Sequence, residues 1–195
     1  MTSVWDEFYQ NTSFGSPCVH YQWIIHLFAN RPRILDVGCG NGRNTLPLIP
    51  IASEIVAIDS SKIAIEQYRG RLGGASNVTL IHADALTLFD LHLGSFDLVL
   101  CHGLLHLLPR GSQHSFVRLI QGLTGHRGVN VVVAIDQCDP APASSLTASY
   151  SRIPFSEVEI EYQRWECLFH DRTVFEPTVF LPNRRSTHRS IWRKL

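Results

Sequence analysis

The chain has 195 residues, 45% hydrophobic and 17% charged, with 17 Lys+Arg balanced by 17 Asp+Glu. That length and hydrophobic share fit one self-folding domain, and the even charge argues against a nucleic-acid backbone as the main partner. No apolar run approaches the roughly 18–20 residues that span a bilayer, and the opening Met1-Thr2-Ser3-Val4-Trp5 lacks the basic and apolar regions of a signal peptide. Five scattered cysteines (Cys18, Cys39, Cys101, Cys138, Cys167) make neither a disulfide framework nor a CxxC zinc knuckle, so a reduced, cytoplasmic setting is expected.

Trp5 to Asn30 reads as a helical, aromatic segment able to lie over a cleft, so residues 1–30 are expected to form a lid and residues 31–195 the main domain. Arg33–Val37 and Glu54–Ile58 are short β-branched runs that read as strands. Ser60-Ser61 can cap a helix over Lys62–Leu72, ended by Gly73-Gly74. Strands follow at Asn77–Ile81 and Phe96–Cys101, then a helix from Ser112 to Ile120 closed near Gly122, then the long run Val129–Ile135. Such nearly continuous hydrophobicity marks strands covered on both faces. The one low-complexity tract runs from Pro140 to Ser145, and two last strands, Tyr162–Val174 and Ser186–Trp192, read as an antiparallel hairpin joined through Pro177 and Pro182. Strand alternating with helix predicts an α/β, Rossmann-like, doubly wound and mostly parallel sheet.

Chemistry concentrates in Ile34-Leu35-Asp36-Val37-Gly38-Cys39-Gly40-Asn41-Gly42-Arg43-Asn44. A strand runs into three glycines at alternate positions, and a helix is expected to follow. Without a Cβ at Gly38 and Gly40 the backbone turns tightly and a ligand can lie against it. The spacing is GxGxG, not the dinucleotide GxGxxG, and Asp36 suits a cationic amino group while repelling a pyrophosphate. No Lys-Ser/Thr follows, which excludes a P-loop.

Asp59-Ser60 end the second strand, where an acid can accept the two hydroxyls of a ribose. Asp84-Ala85 follow the third, where an acid can accept from an exocyclic amine such as adenine N6. Taken singly, Asp59 and Asp84 would be ordinary helix N-caps. In order, at the carboxyl ends of successive strands, they converge on the crevice where such folds bind ligands. The inferred ligand has an amino group, a ribose and an adenine, and no phosphate.

This stretch resembles motif I of the class I S-adenosylmethionine (SAM) methyltransferases, with Asp59 and Asp84 at the next two motif positions. Phe96-Asp97-Leu98-Val99-Leu100-Cys101-His102-Gly103-Leu104-Leu105-His106-Leu107-Leu108-Pro109 resembles their fourth motif. The resemblance covers about residues 31–136. It implies a seven-stranded sheet with an antiparallel last strand, and SAM as cofactor with S-adenosylhomocysteine (SAH) as product. It also implies a cofactor site of Tyr9, Asp36, Gly38, Cys39, Gly40, Asn41, Gly42, Asn44, Asp59, Ser60, Asp84, Ala85 and His102. Within the family Cys39 is a small packing residue.

Asp36 to Asn44, Gly128–Ala134 and Tyr162-Gln163-Arg164-Trp165-Glu166 are similar to the tellurite-resistance methyltransferases, which methylate oxyanions of tellurium and selenium. Trp5-Asp6-Glu7-Phe8-Tyr9 also resembles the start of the thiopurine methyltransferases. The tellurite family's His-Arg pair and further Arg near the hairpin find only His170-Asp171-Arg172 and Arg184-Arg185 with His188-Arg189, at a different spacing. Fold and cofactor therefore carry over and the substrate does not.

A methyl transferred from a sulfonium needs donor and acceptor held in line, which can supply up to about 7–11 kcal/mol. A thiolate, selenide or halide needs no base; a phenol, amine or hydroxy acid does, and His102 and His106 are the candidates. His20 and His26 flank Trp23 in the lid, with His26 read as structural, and Asp6 and Glu7 are read as solvated charges. Ten histidines without HExxH or HxH predict no metal. The basic tail from Arg184 to Lys194 reads equally as a solvated strand face or an anion site. The expected protein is a SAM-dependent transferase for a small-molecule acceptor, monomeric or homodimeric, without nucleic-acid or membrane partners. Phenol or quinone O-methylation and non-catalytic SAM binding are the alternatives.

Overall fold

The computed structural model describes residues 3–11, 24–138, 151–175 and 185–195. His20, Trp23, Cys18, the 140–145 tract, Pro177, Pro182 and Arg184 lie outside them. The chain divides into two compact units, residues 1–100 and 101–195.

In the first unit, β1 (Arg33–Val37) is flanked by two parallel neighbours. β2 (Glu54–Asp59) pairs along its whole length, from Arg33↔Glu54 to Val37↔Ile58. β4 (Phe96–His102) pairs from Ile34↔Leu98 to Asp36↔Leu100. β3 (Val78–His82) extends the ladder beyond β2, ending at Asp59↔His82. Ile34, Leu35, Ile55, Ile58, Leu98 and Val99 are sealed from solvent, as expected for parallel strands covered on both faces. Among the described residues this unit includes the α-helices α1 (Val4–Asn11) and α2 (Lys62–Arg71), the latter capped by Ser61, whose Oγ accepts from the Ala64 amide at 3.1 Å. The helix expected straight after the glycines is a turn through Thr45 and then a 3-10 helix, Leu46–Ile51. Pro47 and Pro50 withhold the amides that an α-helix there would need.

The second unit contains α3 (Gln113–Gly122), β5 (Thr124–Cys138), α4 (Phe155–Glu161), β6 (Trp165–Phe175) and β7 (Arg185–Lys194). β7 runs antiparallel to both β5 and β6, with the β5–β7 register shifting between Ile135 and Gln137. The seven strands follow the order β3-β2-β1-β4-β5-β7-β6, an α/β sheet with an antiparallel C-terminal hairpin. Two expectations change. β5 begins at Thr124, not Val129, and Tyr162 ends α4 instead of opening a strand. Tyr162 is fully buried, stacked on Trp192 at 5.0 Å, and its hydroxyl meets the Asn130 amide at 2.9 Å. That amide also meets the Thr124 hydroxyl at 2.6 Å, so three buried polar groups satisfy one another. On the outside, Arg118 grips Glu161, tying α4 to α3, and Arg110, in the turn just before α3, reaches Glu157. Among the described residues, no helix is long and apolar enough to cross a membrane.

Candidate functional site

The carboxyl ends of β1, β2 and β3 share one edge, because the three strands are adjacent and parallel. At the end of β1 the chain enters the turn with Gly38, Gly40 and Gly42 at φ +73°, +54° and +81°. Residues with a Cβ rarely hold such values, so the GxGxG spacing is a backbone requirement. The Gly38 and Cys39 amides both donate to the Ile58 carbonyl, at 2.8 and 3.0 Å, which pins the turn to β2. Any side chain at Gly42 would run into the buried ring of Tyr68.

Asp59, at the tip of β2, accepts from the Gly40 amide on Oδ2 and from the Ser61 amide on Oδ1, each at 2.8 Å. Its carboxylate is thus locked between the turn and the start of α2. Burial pushes its pKa up against the pull of those two N–H groups. Asp36 is 3% exposed and accepts from the Thr45 hydroxyl at 2.8 Å. Burial raises its pKa to about 7, opposed by that hydrogen bond. Such a carboxyl is poised to ionise when a cation arrives. Burial also pushes the Cys39 thiol well up; its Sγ faces the Gly40 carbonyl, a packing position and not that of a nucleophile.

The N-terminal helix belongs to the same arrangement. Tyr9 lies over Gly40, its Cζ 3.0 Å from where a Cβ would stand and its hydroxyl closer still. Its pKa is driven upward by burial and by the charge of Asp59. Asp6, expected to be a solvated charge, is instead a clamp. Its Oδ1 accepts from Ser61 Oγ at 2.7 Å and from the Ile63 amide at 3.2 Å, at the positive end of α2, and these bonds lower its pKa to about 2. Gln67 donates to the Tyr9 carbonyl at 2.7 Å and accepts from Asn41 at 3.3 Å. Asp6, Ser61, Gln67 and Thr45 thus escaped sequence reasoning, since their contacts span 9 to 58 residues. Ser61 alone carried a signal, and only as a possible cap of the helix that starts at Lys62.

The remaining expected residues are placed as follows. Ser60 is exposed and its carbonyl meets His82 Nε2 at 3.0 Å, while Asn44 is half-buried. Asp84 is exposed and does cap a helix, the 3-10 helix Ala85–Leu91, accepting from the Leu86 amide at 2.8 Å; Ala85 is buried. In the second unit, His102 ends β4 and is half-buried. His106 is buried, and its Nδ1 accepts from the Ile135 amide at 3.2 Å, which leaves the proton on Nε2. His106 is therefore not poised as a base. His26 is exposed. No cluster of three or more metal-ligating groups exists among the described residues.

Comparison with known proteins gives this geometry a context. Residues 34–128 match the family model described as a methyltransferase domain. A probable S-adenosyl-L-methionine-dependent methyltransferase, TehB of Haemophilus influenzae, is 25% identical over 150 residues, 74% of this chain and 49% of the relative. The crystal structure of TehB from Haemophilus influenzae superposes with a TM-score of 0.76 at 19% identity, over 98% of this chain and 67% of that one. The N-methyltransferase NodS from Bradyrhizobium japonicum, solved with SAH, gives 0.67 at 16% identity, over 90% and 85%. The matched segments span 28% to 49% of the curated relatives' own lengths. The glycine turn and the acid at the tip of β2 lie inside the segment that matches a methyltransferase domain, and the chain shares the fold of the TehB structure.

Proposed function

We propose that this protein transfers the methyl group of SAM to a small-molecule acceptor. The observation that carries the reading is Asp59, locked by the Gly40 and Ser61 amides beside three positive-φ glycines. Asp59 would take the ribose hydroxyls and Asp36 the amino group. Gly38, Cys39, Gly40, Asn41, Gly42 and Asn44 would supply the backbone seat, with Ser60, Asp84 and Ala85 around the adenosine and Tyr9 covering the turn. The SAH in the related NodS structure supports this choice of ligand.

When bound, SAM supplies a sulfonium methyl that an acceptor attacks in line. The chain's own contribution is positioning and exclusion of water. His102 is the candidate base for an acceptor that must lose a proton, and the occupied Nδ1 of His106 removes the second candidate. A soft nucleophile, a thiolate or a selenium or tellurium oxyanion, needs no base, whereas a phenol or quinol would rely on His102 alone.

A thermal-shift titration with SAM, SAH, NAD and ATP tests the reading. A ligand at a hundred times its Kd stabilises by about 2.7 kcal/mol, roughly 5–11 °C in Tm for a chain of this size. SAM and SAH alone should shift the Tm, and Asp59→Ala should abolish the shift. An acceptor panel of thiols, selenite, tellurite, halides and phenols then separates the substrate classes. Binding without turnover on any acceptor would point to a non-catalytic SAM-binding protein, and a shift with NAD would overturn the assignment.

A further inference from the structure

We propose that Asp6 is a positioning residue of the cofactor site: anchored on the start of α2, it holds Tyr9 closed over the glycine turn, so that cofactor exchange requires this anchor to release. The inference rests on the cofactor reading above and adds a control element to it.

The contacts form a closed ring. Asp59 accepts from the Gly40 amide, Tyr9 lies against Gly40, and Tyr9 sits on α1, one turn beyond Asp6. Asp6 accepts from Ser61 Oγ and the Ile63 amide, and the Ser61 amide donates back to Asp59. One residue, Ser61, therefore ties α1 to the acid that the ribose would engage, through its hydroxyl on one side and its amide on the other. Gln67 adds a second hold through the Tyr9 carbonyl. α1 itself has no fully buried residue; Val4, Trp5, Phe8 and Tyr9 are half-buried. A helix without a fully buried residue opens at smaller cost than the core, as binding-site covers do. Asp6 is well chosen for the task. A carboxylate at a helix N-terminus meets unsatisfied amides and the positive end of the helix, yet it contributes nothing directly to a ligand at the turn.

The geometry makes a kinetic statement. Removing the anchor speeds opening in both the free and the SAH-bound protein, so entry and exit of the cofactor speed up together, while affinity falls only by the loss of the closed population. Loss of a directly binding group accelerates exit alone.

The experiment measures SAH association and dissociation by stopped-flow fluorescence on the full chain, with hydrogen exchange of residues 4–11 in parallel. The parent is compared with Asp6→Ala and the isosteric Asp6→Asn, which keeps an acceptor for Ser61 and loses the charge. In Asp6→Ala both rate constants should rise at least about threefold, a factor in the range of a charge at a helix terminus. Amide protection of α1 should fall, and Asp6→Asn should lie in between. Parent-like rates and protection in Asp6→Ala, with SAH still bound, overturn the anchor and leave the cofactor reading standing. Faster dissociation with unchanged association also overturns it, by making Asp6 an ordinary binding residue. Failure of the parent itself to bind SAH overturns the cofactor reading and this inference with it.

Discussion

Gly42→Ala offers the sharpest test of how the glycine turn is built. Gly42 has φ +81°, and a Cβ there would stand 2.5 Å from Cε2 and 2.6 Å from Cγ of Tyr68. Left-handed backbone costs a residue with a Cβ about 1–2 kcal/mol. Tyr68 is fully buried, so its ring cannot swing aside into solvent, and overpacking adds about 1–3 kcal/mol. The sum is about 2–5 kcal/mol. Taking about 3 kcal/mol, and 2–4 °C for each kcal/mol in a chain of this size, Tm should fall by roughly 6–12 °C. Two further glycines separate the contributions. Gly74 has φ +87° but nothing within 4 Å, so Gly74→Ala should show the backbone cost alone, about 1–2 kcal/mol. Gly70 lies in α2 with ordinary φ and open space, so Gly70→Ala should stabilise by about 0.5–1 kcal/mol. Differential scanning calorimetry of the three variants should rank Gly70→Ala above the parent, then Gly74→Ala, then Gly42→Ala. Equal melting of Gly74→Ala and Gly42→Ala would falsify the claim that the Tyr68 ring, and not only φ, imposes glycine at 42.

Three other perturbations probe separate parts of the molecule. Gly40→Ala would push against Tyr9, which can move with α1, so its Tm should fall less than that of Gly42→Ala while SAH affinity drops about tenfold or more; titration calorimetry giving a Kd within twofold of the parent would refute it. Asp36 has a folded pKa of about 7, above its unfolded value of about 3.9, so the native state binds the extra proton and stability is lost as pH rises between these values. His188, pushed down to about 4 by burial, acts oppositely: the unfolded chain takes up its proton first, and stability is lost as pH falls from about 6.5. The two slopes oppose each other in the parent, so the difference between Asp36→Asn and the parent is the quantity to follow; it should grow from pH 4.5 to 7.5, by at most about 4 kcal/mol, and parallel curves would rule the argument out. Tyr162→Phe leaves the Asn130 amide one partner short in a buried site, and urea unfolding should show a loss of about 1–3 kcal/mol with unchanged m.

The strands were legible because their apolar runs are nearly unbroken, the pattern of a sheet buried on both faces; Glu54–Ile58, for instance, meets the observed β2 within one residue. α4 was not legible. It has seven residues, begins after Pro154 with no side-chain cap, and turns acids toward α3, so it lacks both length and a start signal. At the site, the residues at strand ends could be read because strand order fixes where they go. What joins them could not. Asp6 looks like any exposed acid until Ser61, 55 residues later, is placed beside it. His106 likewise sits one helical turn beyond His102 in sequence, and only β5 reveals that its Nδ1 is occupied.

The short 3-10 helix after the glycine turn bears on the proposed choice of an adenosine ligand without phosphate. Dinucleotide-binding proteins place a long α-helix there, and its free amides and positive end seat a diphosphate. Here Pro47 and Pro50 keep Leu46–Ile51 to a six-residue 3-10 helix, too short to build the macrodipole of a long α-helix. A phosphate arriving at this turn would find one amide fewer, Pro47 having none, with the Asp36 carboxyl buried just before. On the proposed cofactor reading, selectivity against nucleotides would rest partly on this omission, and replacing the two prolines to restore a regular helix would erode it.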